Sequence, residues 1–208
     1  MIIPHTTGGT FIIIKNVPID FVIIRASIIP ELVKTEKSQL KVGITGSDIL
    51  WDAGMGRDSG EEIPIGKFRP NYQSPMLFIG MVKKFSEYIQ QANKRKALVQ
   101  DLSGKMVVTK FPRITREVFA EKDVKEIEIF PMPGTTEAMQ YIFANCYGIL
   151  DVISTGRTSS ANDIQILEKF YQVTVRMIES PTISRREKDI LSDLRERIAV
   201  AIQKKRMI

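Results

Sequence analysis

Apolar and polar residues follow one another along the chain in two rhythms: short β-branched runs that read as buried strands, and stripes of 3.6-residue spacing that read as helices. Phe11 to Ile14 and Phe21 to Ile24 are runs of the first kind. Asn16-Val17-Pro18 separates them, which predicts two buried strands with a turn between. Pro30 opens a short helix with Leu32 and Val33 toward a sheet and Glu31, Lys34 and Lys37 toward water. Lys41 to Thr45 is the next strand, ending at Gly46-Ser47-Asp48 as Ile49-Leu50-Trp51 begins a helix. Ala53 to Ser74 is dense in glycine, charge and proline and reads as an exposed excursion, with a further strand over Ile63 to Phe68. Met76 to Val82 predicts a strand leading to a helix from Ser86 to Leu102. Met106 to Thr109 and Ile127 to Phe130 are strands on either side of a helix that places Ile114, Val118 and Phe119 on one face. Pro131-Met132-Pro133-Gly134 stops the second, and Thr135 or Thr136 caps a helix to Asn145 with Met139, Ile142 and Phe143 inward.

Gly148 to Ile153 is an apolar run that predicts a buried strand. A hydroxyl-rich turn interrupts it before a helical pattern that begins at Ala161 and runs to Phe170. Gln172 to Ile178 then alternates as a strand. Ser184 with Glu187 makes a capping box for a last helix whose Ile190, Leu191, Leu194, Ile198, Val200 and Ile202 form a wide stripe. Its Lys204-Lys205-Arg206 end suits the negative pole of a helix. Alternating strands and helices predict an α/β fold with mostly parallel sheets. Met76 to Val82 and Gln172 to Ile178 are long enough to join two lobes as crossing strands, giving residues 1–76 plus 177–208 as one domain and 77–176 as the other.

The turn after Ile153 carries the chemistry. Gly156 admits a backbone conformation closed to other residues, and the loop N–H groups converge with the hydroxyls of Thr155, Thr158, Ser159 and Ser160 at a helix start. That is the chemistry of a phosphate cradle; a plain turn with a capped helix is the competing reading of the same local pattern. Asp151, near the strand's end, belongs beside an anion only if it does something else, such as accepting hydrogen bonds from sugar hydroxyls or holding a metal ion. A phosphorylated sugar fits the combination. Gly43, Thr45, Gly46 and Ser47, at the end of another strand, form a second candidate surface.

Composition narrows this reading further. At 208 residues the chain builds its own cores, needing neither disulfide nor metal to fold, and Cys146 is its one cysteine. No apolar run reaches a membrane-spanning length and Met1 to Thr10 lacks signal-peptide regions, so a soluble, cytoplasmic protein without membrane association is expected. The net charge of +6 raises nucleic acid as a partner. Its basic residues, however, are interleaved with acids except at Lys94-Arg95-Lys96 and the tail, so no nucleic-acid surface is expected. His5 is expected to be a surface residue.

The block Asp151 to Asn162 resembles the phosphoribosyl-diphosphate motif of ATP phosphoribosyltransferases: Asp, a short spacer, Thr-Gly-x-Thr, then Ala-Asn. Four further segments resemble that family in the right order. They are Asn16 to Asp20 with Arg25 and Ile29 to Val33; Val42 to Asp48; Lys105 to Phe119 with Thr109, Pro112, Ile114 and Thr115; and Gly134-Thr135-Thr136-Glu137. The resemblance implies a two-lobed fold similar to type II periplasmic binding proteins. It implies transfer of a 5-phosphoribosyl group from phosphoribosyl diphosphate to N1 of ATP, with Mg²⁺ on the pyrophosphate and no protein metal site. By the same resemblance, Thr155, Gly156, Arg157, Thr158, Ser159 and Ser160 hold the 5-phosphate. Asp151 serves the ribose hydroxyls as the catalytic carboxylate, and Arg25, Thr45 and Gly46 hold ATP. The short form of the family is expected, since its regulatory domain has no counterpart after the last helix. That form works as an oligomer with a regulatory subunit resembling histidyl-tRNA synthetase, and the stripe on the last helix either serves that association or packs on its own lobe.

The chain also departs from the family. The usual first strand and its Lys-Gly-Arg loop have no equivalent before Phe11. Lys41, Tyr147, Ser159 and Asp163 stand where the family has an acid, an Asp, a Leu and a Gly. A catalytically weak or inactive copy, or a two-lobed small-molecule-binding module, is the alternative these changes leave open.

Overall fold

In the computed structural model, which describes residues 11–15, 17–20, 22–36, 38, 41–63, 74–134 and 136–204, the first strand β1 (Phe11–Ile14) folds back antiparallel on β2 (Val17–Asp20). Ile14 opposite Val17 leaves a two-residue turn, and Lys15 supplies the left-handed conformation (φ 50°) that so tight a turn requires. The second strand therefore begins before Phe21, not at it. Phe21 lies outside the described residues, 22–24 are not strand, and Ile23 is fully exposed. Pro18 made Asn16 to Pro18 read as a turn; in a two-stranded ribbon both strands are edges, where a missing N–H is tolerated. A 3-10 turn (Ala26–Ile28) leads to α1 (Ile29–Lys34), with Pro30 in its first turn. The helix lies so close on β3 (Val42–Gly46) that a Cβ at Gly43 would stand 2.3 Å from Ile29 Cγ2 and 2.9 Å from Val33 Cγ2. Next come α2 (Ser47–Asp52) and β4 (Glu61–Ile63); of the strand expected over Ile63 to Phe68, residues 64–68 lie outside the described residues, as do His5, Thr135 and the Lys205-Arg206 tail.

From β5 (Met76–Val82) the chain runs into α3 (Lys83–Asn93). Lys94, left-handed at φ 50°, follows the last residue of α3, Asn93, so the helix stops short of the expected Leu102, and a 3-10 turn (Val99–Leu102) comes after it. Then come β6 (Met106–Thr109), α4 (Pro112–Glu121) and β7 (Glu128–Pro131). In place of the helix expected up to Asn145 there is a 3-10 turn, Glu137–Tyr141. β8 (Cys146–Ile153) leads through the hydroxyl loop to α5 (Arg157–Ala161). The helical pattern seen in the sequence from Ala161 to Phe170 is instead β9 (Ile164–Gln172). Asp163, left-handed at φ 48°, breaks the helix, and β5 claims the β-branched Ile164 and Ile166 along its open edge.

These elements make a five-stranded sheet in the order β7-β6-β8-β5-β9. Phe78, Met106, Val108, Cys146, Ile149, Ile153 and Ile164 form one core cluster. Leu77, Ile79, Val107 and Leu150, which alternate with them along the strands, are buried as well, so both faces of the sheet are covered. Burial pushes the Cys146 thiol up to about 11. At pH 8 the native chain is therefore expected to resist iodoacetamide, with labelling appearing only as circular dichroism reports unfolding; labelling of the folded chain at the rate of a free thiol would contradict this burial.

The chain closes with β10 (Val175–Glu179) and α6 (Arg185–Lys204). β10 lies between β3 and β4, antiparallel to both. Ile190, Leu191 and Leu194 of α6 are buried with Ile14, Ile19, Val42, Ile63 and Met177, and Ile198 packs against them. The stripe thus serves its own fold, with Val200 outside it at 41% exposure. Ser184 N–H donates to Glu187 Oε2 (2.7 Å) and Glu187 N–H to Ser184 Oγ (3.3 Å), the reciprocal cap read from the sequence. Hydrogen bonding to the carboxylate by the Ser184 hydroxyl and backbone N–H holds the Glu187 carboxyl below its ordinary value. A depressed folded-state value stabilises above the ordinary range and is lost as pH falls through it. The melting temperature of Glu187→Gln should accordingly fall less steeply than wild type between pH 5 and pH 3; parallel slopes would remove the cap from the acid response.

The chain divides into two compact units, Met1–Tyr72 with Thr174–Ile208, and Gln73–Val173. The α/β class holds, but two expectations need correction. Among the described strands, parallel pairing is confined to β6 with β7 and with β8, whereas the β1–β2, β3–β10, β4–β10, β5–β8 and β5–β9 ladders are antiparallel. Parallel neighbours need crossover connections, and α4 supplies the one between β6 and β7. Of the two expected crossing strands, β5 lies wholly within one unit, between β8 and β9, whereas Gln172 to Ile178 does pass from one unit into the other at Val173 and Thr174, as the end of β9 and most of β10 rather than as one strand.

Candidate functional site

Because β7, β6 and β8 are parallel neighbours, their carboxyl ends share one edge of the sheet, the edge where open α/β sheets collect ligands. The segments leaving that edge carry Thr136 after β7, Lys110 after β6, and Ser154 to Ser160 after β8. Asp151, in β8 and opposite Phe78 of β5, lies just below them.

Asp151 is 1% exposed, and its carboxylate is fully engaged. Lys110 Nζ stands 3.1 Å from Oδ1 and 2.9 Å from Oδ2. The Val152 backbone N–H donates to Oδ1 at 2.7 Å, and the buried Thr136 hydroxyl donates to Oδ2. A buried carboxylate is tolerated because it is both paired and hydrogen-bonded. Thr136 was expected to cap a helix; its hydroxyl serves Asp151 instead, and no side-chain cap forms on the turn that follows.

A second buried network sets where Lys110 stands. The Thr109 hydroxyl donates to Leu150 O (2.8 Å) and accepts from Phe111 N–H (2.9 Å). Thr115, one turn into α4, donates to Phe111 O (2.7 Å) and lies 3.1 Å from the Thr109 oxygen. Both threonines are 0% exposed, so the backbone on either side of Lys110 is pinned between β8 and α4. Sequence reasoning saw Thr109 and Thr115 as matching positions but passed over Lys110 between them. The available signal was an unpaired carboxylate expected at the end of β8, which requires a cation nearby.

The loop itself turns at Gly156, whose φ of 78° and ψ of 0° put it in the left-handed region. Thr155 Oγ1 accepts weakly from Arg157 N–H (3.5 Å), and the first N–H groups of α5 have no acceptor within so short a helix. Thr155, Arg157, Thr158 and Ser160 are exposed. Ser159 is a correction: at 1% exposure it points into the fold, which accounts for the leucine that the resembling family carries there. Asn162 Nδ2 closes the helix on Thr158 O at 2.9 Å. Asp163, where that family has glycine, takes the left-handed conformation that favours glycine, one that aspartate tolerates better than most residues.

The three residues assigned to ATP lie in the other unit. Arg25 is exposed at the start of the 3-10 turn. Thr45 is 5% exposed, and its hydroxyl donates to Ala26 O at 3.2 Å. Gly46, at φ −77°, precedes α2 in an ordinary conformation. Of their companions in the second candidate surface, Gly43 is filled by α1, and Ser47, 0% exposed, accepts from Thr174 N–H at 3.0 Å while its own N–H donates to Thr174 O at 2.8 Å. Among the described residues there is no group of three or more His, Cys, Asp or Glu side chains able to hold a metal ion, and no helix long and apolar enough to cross a membrane.

The profile of the ATP phosphoribosyltransferase family matches residues 25–200. An ATP phosphoribosyltransferase of Rhodopirellula baltica is 28% identical over 174 residues, 84% of this chain and 52% of its own length. That of Methanopyrus kandleri is 29% identical over 163 residues, 78% and 50% of the two chains. The chain thus spans about half the length of these curated relatives. A chain of the ATP phosphoribosyl transferase (HisG:HisZ) complex from Thermotoga maritima has the same fold, with a TM-score of 0.64 at 19% identity over 87% of this chain and 77% of that one.

Proposed function

The chain belongs to the ATP phosphoribosyltransferase family, and on that premise we propose that it transfers the 5-phosphoribosyl group of phosphoribosyl diphosphate to N1 of ATP, the first step of histidine biosynthesis. N1 of the adenine attacks C1 of the ribose, the bond from C1 to the diphosphate oxygen breaks, and its electron pair leaves with pyrophosphate. The carbon acquires oxocarbenium character on the way, so positioning and electrostatics count for more than covalent catalysis. The observation that carries this reading is the shared carboxyl edge of β7, β6 and β8, where a paired buried carboxylate and an exposed hydroxyl loop lie together.

On this reading the loop N–H groups and the exposed Thr155, Thr158 and Ser160 hydroxyls hold the 5-phosphate, with Arg157 adding charge and Gly156 setting the turn. Asp151 orients the ribose through its hydroxyls. Arg25, Thr45 and Gly46 hold ATP, Thr45 and Gly46 through backbone groups, since the Thr45 hydroxyl is committed to Ala26. Mg²⁺ belongs to this proposal as the companion of the diphosphate substrate, its usual mode of binding. The proposal further includes a cytoplasmic location, a fold similar to type II periplasmic binding proteins and an oligomer with a regulatory subunit resembling histidyl-tRNA synthetase. The Thermotoga maritima protein occurs as a HisG:HisZ complex, which supports that last point.

Pyrophosphate release from phosphoribosyl diphosphate and ATP, measured with and without such a subunit, tests the proposal. Turnover in either mixture is expected. Its absence in both, with phosphoribosyl diphosphate still binding by calorimetry, would leave a binding module in place of an enzyme.

A further inference from the structure

An ionised carboxylate offers about four acceptor positions, and all four on Asp151 are taken: two by Lys110, one by the Val152 N–H and one by the Thr136 hydroxyl. A sugar hydroxyl reaches this carboxylate only by displacing one of them. The Val152 donor is backbone within β8, and Thr136 is 0% exposed. Lys110 alone can move: its side chain is 37% exposed and rides on a flexible four-carbon stem, while Thr109 and Thr115 hold its backbone still. We propose that Lys110 is a displaceable stand-in for the substrate's ribose hydroxyls and that, once displaced, its ammonium binds the diphosphate group.

The charge logic decides where the ammonium goes. Withdrawing a cation from a carboxylate that is 1% exposed is unfavourable unless the cation stays close, and an anionic group beside the sugar keeps it there. Lys110 leaves β6, on one side of β8, whereas the loop that follows Ile153 leads through α5 to β9, beyond β5 on the other side. The anion at that flank of the ribose is the diphosphate rather than the 5-phosphate assigned to the loop. The free protein is thereby kept from exposing a bare carboxylate to incoming phosphates. Binding exchanges one salt bridge for two contacts, Asp151 to sugar and Lys110 to diphosphate. This inference rests on the transferase reading of the site, and it adds Lys110 as a substrate-binding residue.

Calorimetry on the full chain with phosphoribosyl diphosphate and with ribose 5-phosphate separates the two. Lys110→Met should weaken phosphoribosyl diphosphate by about tenfold to a hundredfold, the loss of a charge-assisted hydrogen bond, with ribose 5-phosphate unchanged or bound more tightly. Lys110→Arg should recover most of the affinity. If Lys110→Met does not fold because Asp151 is left unpaired, Lys110→Met with Asp151→Asn removes both charges, and its ratio of ribose 5-phosphate to phosphoribosyl diphosphate affinity should still exceed that of Asp151→Asn alone. Equal losses on both ligands, or a change of less than twofold on phosphoribosyl diphosphate, would overturn the role given to Lys110 while leaving the transferase reading standing. Failure of the unmutated chain to bind either ligand would overturn both.

Discussion

Asp151→Ala should lower kcat/KM for phosphoribosyl transfer by a factor on the order of 10²–10⁴, because hydrogen bonds from two ribose hydroxyls to a charged group, at about 1.5–3 kcal/mol each, are lost together. Stability should fall as well. The Thr136 hydroxyl, 0% exposed, loses its acceptor, and the Val152 N–H loses a 2.7 Å bond. Leaving buried donors unsatisfied costs about 1–3 kcal/mol. Lys110 adds little to that, since a side chain 37% exposed turns to water when its partner goes. For a chain of this length about 2 kcal/mol corresponds to roughly 4–8 °C in melting temperature. Asp151→Asn separates the two effects: it keeps an acceptor for Thr136 and should recover most of the stability, while the rate stays depressed because the charge is gone. Steady-state kinetics and thermal melts on both variants check this. Turnover of Asp151→Ala within tenfold of the unmutated chain would remove Asp151 from the reaction.

The Asp151 environment also marks the limit of what could be read from the residues alone. The strand and the glycine turn at 148–156 were legible because a buried strand and a left-handed glycine turn each have a local pattern, and Gly156 does take that conformation; the helix was not, since α5 ends at Ala161, where the sequence pattern has it begin. The partners of the carboxylate were not. Lys110 and Thr136 lie 41 and 15 residues away in sequence and arrive through parallel pairing, which no local periodicity encodes. Ser159 shows the same limit from the other side, since a serine in a hydroxyl run gives no sign of being the member that turns inward. The misreading of 161–170 has a different cause. Ile164, Ile166, Leu167 and Phe170 suit one face of a helix as well as an edge strand, and the left-handed Asp163 decides between them. The hairpin near the start was displaced by Pro18, a turn signal that a two-stranded ribbon accommodates.

Gly43→Ala should destabilise the chain by about 2–3 kcal/mol, near the upper end for overpacking a filled core. The added Cβ would stand 2.3 Å from Ile29 Cγ2, 2.9 Å from Val33 Cγ2 and 3.3 Å from Ile178 Cγ1, all side chains of one buried cluster that also holds Leu50. None of these neighbours is the free end of an exposed chain, so α1 must lift from β3 or a rotamer must strain. A melting temperature lower by roughly 4–12 °C is expected for a chain of this size. Shortening the nearest neighbour provides the control. Ile29→Ala alone leaves a cavity and costs about 2–4 kcal/mol, but it also vacates the space that the new methyl needs. The double variant should therefore be more stable than the sum of the two losses predicts by at least about 1 kcal/mol, the coupling expected of residues in contact. Additive losses would show that the glycine is not there to admit the helix. The same variant weighs two roles for a residue at the end of a strand that also carries Thr45 and Gly46. If Gly43 serves packing, ATP affinity measured well below the melting transition should match the unmutated chain, whereas weakened ATP binding at undiminished stability would return Gly43 to the ligand surface.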